Sequence, residues 1–60
     1  MFNFTTNQFT ISNDTEYEVA LFIVADDLID YSYLSSDAKK LYNTLSQKEK
    51  DSLKSFILNN

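Results

Sequence analysis

Thr15-Glu16-Tyr17-Glu18-Val19-Ala20-Leu21-Phe22-Ile23-Val24-Ala25-Asp26-Asp27-Leu28-Ile29-Asp30-Tyr31 carries the longest periodic signal in a chain of 60 residues. Wound at about 100° per residue, Tyr17, Leu21, Val24, Ala25, Leu28 and Ile29 fall in one broad apolar arc, with Phe22 at its edge. The spacing predicts a helix over residues 15–31. Thr15 and Glu18 stand three apart at its start, as a capping box requires. Residues 17–24 are also rich in Val, Ile and Phe, which favour strands. A strand there would form a hairpin with residues 9–11 around Asn13-Asp14. Continuation of the period through Leu28 and Ile29 favours the helix.

On the other flank of that helix, Glu16, Asp26, Asp27 and Asp30 share a stripe about 100° wide, with Val19 and Ile23 among them. Apolar residues set among carboxylates either pack beneath the N-terminal segment or contact another molecule. On the second reading Val19 and Ile23 are anchors and the acids are a rim that selects a basic protein. Tyr31 and Tyr33 lie just past the helix and extend the face, since tyrosine is enriched at interfaces; each also fits a core edge with its hydroxyl in water. The expected partner-binding set is therefore Glu16, Val19, Ile23, Asp26, Asp27, Asp30, Tyr31 and Tyr33.

Before this segment, Phe2 and Phe4, then Phe9 and Ile11, alternate with polar residues, so residues 1–12 read as an extended arm. Such an arm needs a partner: the helices, the next segment, or a second copy. After it, Ser32-Tyr33-Leu34-Ser35-Ser36 reads as a short linker whose Ser35 or Ser36 caps a helix over residues 36–45. Ala38, Leu41, Tyr42 and Leu45 give that helix its apolar face at i, i+3, i+4 and i+7. Ser46 and Glu49 form a capping box that opens a third helix over residues 46–58, with Leu53, Phe56 and Ile57 inward. The expected fold is a single, mostly α domain: an extended arm, one long amphipathic helix and a tight two-helix hairpin. The alternative is an α+β domain with an N-terminal β-hairpin and two helices. The expected core is Phe4, Phe9, Ile11, Leu21, Val24, Leu28, Ile29, Leu41, Leu45, Leu53, Phe56 and Ile57.

Composition narrows the means of stabilisation. A chain this short buries only about 60% of the surface exposed in its unfolded state. It contains no Cys and no His, which removes disulfides, thiolate zinc sites and imidazole ligands. It also contains no Gly and no Pro, so two-residue primed turns and phosphate-cradling loops are not expected. What remains is an apolar core, rich in the five Phe and four Tyr, or association with a second subunit. The unpaired apolar and backbone groups of the arm leave room for a homodimer.

Charge is unevenly divided. Residues 1–37 hold seven acids and no base, and residues 38–60 hold five Lys and two acids, within a net charge of −4. Without His, Cys or Arg, only carboxylates, Lys, Tyr and hydroxyls could do acid–base or nucleophilic work, and so small a core promises no ligand pocket, so no enzyme is expected. Asp26, Asp27 and Asp30 on one helix face offer few convergent oxygens, so neither a metal nor another cofactor is expected. Lys39, Lys40, Lys48, Lys50 and Lys54 lack an Arg to read guanine and sit beside an acidic half, so direct nucleic-acid binding is the weaker reading. In size, acidity and composition the chain resembles the small inhibitors that phages direct against host nucleases, glycosylases and CRISPR effectors. The resemblance implies a non-catalytic, acidic protein-binding module that inhibits or modulates a basic, nucleic-acid-handling protein. A self-associating scaffold subunit is the alternative. The N-terminus has no basic leader, and the apolar run over residues 19–25 is too short to span a membrane, so a cytoplasmic, non-membrane protein is expected. Richness in Phe, Tyr, Ile, Asn and Lys fits a low-GC bacterial or phage genome, and the sequons at Asn3 and Asn13 read as chance.

Overall fold

Asn13, not Thr15, opens the first helix. Its side-chain oxygen accepts from the Glu16 amide at 2.9 Å, and its carbonyl accepts from the Tyr17 amide at 3.1 Å. The Glu16 carboxylate reaches back to the Ser12 amide at 2.8 Å. Two otherwise orphaned amides are thereby satisfied, as in a capping box, but two residues earlier than the Thr15–Glu18 pairing predicts. The structure, a computed structural model, describes residues 1–25 and 28–59.

Within those residues the order is β1 (Phe2–Asn3), β2 (Gln8–Phe9), α1 (Asp14–Ala25), a 3₁₀ turn (Tyr31–Tyr33), α2 (Ser36–Thr44) and α3 (Gln47–Leu58). The mostly α architecture with three helices matches the sequence reading, and α2 and α3 each pack chiefly on α1 rather than on each other. The N-terminal segment folds back on itself instead of extending as a lone arm. Strands β1 and β2 pair antiparallel, Phe2 opposite Phe9 and Asn3 opposite Gln8. A further bond runs from the Thr10 amide to the Met1 carbonyl at 2.9 Å. The turn is made without glycine. Asn3 Oδ1 accepts from the amides of Thr5 and Thr6 at 3.1 and 3.3 Å, and Asn7 takes the left-handed conformation at φ 57°. Asparagine bears that region better than any other residue with a Cβ except aspartate. A longer loop with Asn at both ends thus replaces the primed turn that glycine would supply. The strand pairing that argued for a second copy is found inside the arm.

The later boundaries follow local chemistry. Ser35 caps α2 by accepting from the Ala38 amide, and Ser46 and Glu49 form a reciprocal capping box on α3. Only Leu45 and Ser46 separate α2 from α3, which forces the sharp turn that the sequence implies.

The core lies where α1 crosses α2 and α3. Val19, Ile23, Leu34, Ala38 and Leu53 form its buried centre, with Phe2, Phe4, Phe9, Phe22, Leu41, Tyr42, Leu45 and Ile57 packed around it. The hairpin's rings stack among themselves, Phe4 on Phe9 at 5.0 Å, and join α3 through Phe9 and Phe56 at 5.1 Å, edge to face. Leu34, assigned by sequence to a linker, is a core residue: the 3₁₀ turn points it inward. Conversely Ile11, Leu21 and Leu28 of the expected core are exposed, Leu28 to 89%.

Candidate outer-face docking groove on the first helix

The first helix is turned the other way round from its sequence reading. Val19 is fully buried and Ile23 is 8% exposed, whereas Tyr17 and Leu21 are 55% and 46% exposed. Val19 and Ile23 therefore cannot serve as surface anchors; of the two readings of that pair, packing within the fold is the one the structure adopts. Ile23 and Leu21 are isomeric, so side-chain size alone does not decide which face of α1 is buried. Polar bonding on either side of the buried face accounts for the choice. On one side Glu16 accepts from Ser12 and from the Met1 ammonium, its oxygen 2.8 Å from the latter. On the other, Glu18 accepts from the backbone and hydroxyl of Ser35. On a helical wheel these two glutamates bracket Val19 and Ile23. Rotating Leu21 inward would break both sets of bonds and carry Glu16 and Glu18 off their partners.

Of the four carboxylates of the expected ridge, the two within the described residues, Glu16 and Asp30, do not share one face of α1. Glu16 is largely enclosed and tied to the arm; burial raises its pKa, but the hydrogen bonds from the Met1 ammonium and Ser12 and the ammonium's charge outweigh this and hold it below the ordinary value. Asp30 lies beyond α1, where it caps the 3₁₀ turn by accepting from the Ser32 amide at 3.0 Å. That bond holds the Asp30 carboxyl below its usual range. Asp26 and Asp27 lie outside the described residues, and α1 ends at Ala25, short of the predicted residue 31. Among the described residues, no three acids converge in a way that could hold a metal ion.

Tyr31 is committed to the fold. Its ring packs against Phe22 and Tyr42 at 6.1 and 6.0 Å, and its hydroxyl accepts from Asn43 Nδ2 at 2.9 Å. Tyr33, two residues on, is exposed and points away from the core.

The reversal of α1 creates a surface that the sequence reading placed inside. Tyr17, Ala20, Leu21 and Val24 form one wall of a groove of about 170 Å³, completed by Ile11 from the segment after β2 and Ile57 from α3. All six are apolar but for one phenol. Three larger clefts, of about 340, 640 and 370 Å³, also touch α3, contrary to the expectation that so small a core leaves none. They differ in chemistry: the first holds Lys50, Asp51, Lys54 and Gln47, the second holds Lys48, Asp51, Ser52 and Ser55 beside Phe9 and Phe56, and the third holds Glu16 and Glu49. Lys50 lies over the Tyr42 ring at 4.0 Å and so covers part of the first cleft's aromatic floor. Lysines and serines are ordinary helix surface; the α1 groove stands apart in that its lining is almost wholly apolar.

No helix among the described residues is long and apolar enough to cross a membrane. No family model, curated protein or solved structure matches the chain.

Proposed function

We propose that this protein is a non-catalytic protein-binding module that docks through the outer face of α1. One observation carries the reading: Tyr17 and Leu21 stand in solvent beside the half-buried Val24, while Val19 and Ile23 of the same helix fill the core. Apolar side chains gathered along one exposed helix face are the kind of surface that a protein partner can cover. The groove offers shape and apolar area but, apart from the Tyr17 phenol, no acid, base or nucleophile, which suits a protein surface better than a reacting substrate. The modulator role that the sequence suggests stands within this proposal, with its anchors moved from Val19 and Ile23 to Tyr17 and Leu21.

The test is Leu21→Asp, compared with wild type for retention of cross-linked partners in the producing cell and for folding by circular dichroism. The proposal expects an intact helical spectrum with the partner lost. A partner retained at wild-type level by a folded Leu21→Asp protein would refute it.

A further inference from the structure

Tyr17, Leu21 and Val24 recur at i, i+4 and i+7, with Asp14 three residues before them. This alternation of four and three is the seam by which one α-helix receives another, each side chain fitting between those of a neighbouring helix. On α1 it runs along the side away from the core, and Ile11 and Ile57 stand along its edges. A straight apolar seam of two to three turns, about 1.5 Å per residue, fits a helix better than a strand. A strand needs exposed backbone amides and carbonyls to pair with, and those of α1 are spent within the helix.

Charge identifies which helix. Asp14 lies on the seam, Glu18 lies one step to its side, and residues 1–37 contain no base. A second copy of this chain laid on the same face would bring Asp14 and Glu18 against an equally acidic surface, with no lysine from either first half to neutralise them. Opposed like charges of this kind select against a partner.

We infer that the groove receives a cationic amphipathic helix of another protein, whose apolar side chains enter between Tyr17, Leu21 and Val24 and whose lysines or arginines flank Asp14 and Glu18. This rests on the proposed function and names the partner class for that same face.

Two designed helical peptides of about 18 residues separate the outcomes. They share one leucine seam and differ only in carrying lysine or glutamate at the flanking positions. Each is titrated into the ¹⁵N-labelled protein. The lysine peptide is expected to shift the amides of Ile11, Tyr17, Leu21, Val24 and Ile57 and to bind at least about tenfold more tightly than its glutamate counterpart. Raising salt from about 50 to about 300 mM should narrow that difference. Leu21→Asp, and the milder Leu21→Ser, should abolish the shifts while leaving the Phe9 and Phe56 resonances in place. Equal affinity for the two peptides, or shifts centred elsewhere, overturns the inference. Concentration-dependent shifts of the same five residues without peptide make a second copy the occupant; the inference then falls while the docking face survives. If neither peptide nor self-association moves them, both fall.

Discussion

Glu18 spans the gap between α1 and the start of α2, accepting from the Ser35 amide at 3.1 Å and from the Ser35 hydroxyl at 3.0 Å. The same hydroxyl oxygen accepts from the Ala38 amide at 3.2 Å and so caps α2. One serine therefore fixes the start of one helix and the rotation of another. Hydrogen bonds to a charged group contribute about 1.5–3 kcal/mol each, and less at a site open to water.

The first prediction follows from that shared atom. Glu18→Ala and Ser35→Ala should each lower stability by about 1–2 kcal/mol. The double variant should lose clearly less than the sum, because each single change already breaks the link. Urea midpoints for the four proteins give the coupling. Strict additivity would mean that Glu18 does not hold the rotation of α1 through Ser35.

A second prediction weighs the two faces of α1 directly. Val19 is fully buried, so Val19→Ala should cost roughly 2 kcal/mol, in the range of small core truncations. Leu21→Ser, on the opposite flank, should change stability by less than about 1 kcal/mol. The comparison is sharp because the sequence reading counts Leu21 in the core and leaves Val19 out of it. A chemical denaturation series on these two variants checks it, and a larger loss at Leu21 would mean that the groove is core.

These contrasts also explain how much of the fold was legible in the sequence. The boundaries of α2 and α3 were, because Ser35, Ser46 and Glu49 act within one turn and the Ala38–Leu41–Tyr42–Leu45 face is apolar on one side only. The face of α1 was not. Val19 and Ile23 on one side compete with Tyr17, Leu21 and Val24 on the other, so periodicity marks a helix without saying which flank is inside. What decides between them is non-local: Glu16 meets Met1, and Glu18 meets Ser35, 15 and 17 residues away. The groove escaped the sequence reading for the same reason, since Ile11, Leu21, Val24 and Ile57 are residues that the pattern assigned to the core. Leu34 was missed because its serine neighbours read as a linker, and Asn7 because the turn it closes has no glycine to announce it.

Asn7 supplies a third prediction. At φ 57° it occupies a region that costs an ordinary L-residue about 1 kcal/mol or more. Asn7→Ala should therefore destabilise the hairpin by about 1 kcal/mol, whereas Asn7→Gly, which bears no Cβ, should be close to neutral. Because the arm packs on α3 through Phe9 and Phe56, the loss should appear first as faster amide exchange at Thr10, whose bond to the Met1 carbonyl closes the strand pair. Equal effects of Ala and Gly would show that the turn does not depend on the left-handed conformation.

The fourth prediction concerns acid. Glu16 is held below its ordinary value of 4.5; burial works against this, and the bonds from the Met1 ammonium and Ser12 prevail. A carboxylate whose pKa is lower in the folded state than in the unfolded one binds fewer protons when folded, so folding is favoured while the group is ionised in both states. Its contribution is complete above the unfolded value and is lost as pH falls from about 4.5 through the folded pKa. The arm should loosen in that window, because Glu16 joins Met1 and Ser12 to the first turn of α1. Glu16→Gln keeps the shape but cannot ionise, so its stability should be lower at neutral pH and should fall less between about pH 6 and pH 3 than that of wild type. Urea midpoints across that range, with Asp30→Asn as a second carboxyl held low by a local bond, separate the two contributions. If Glu16→Gln and wild type fall in parallel, Glu16 is not the acid-sensitive tie between the arm and α1.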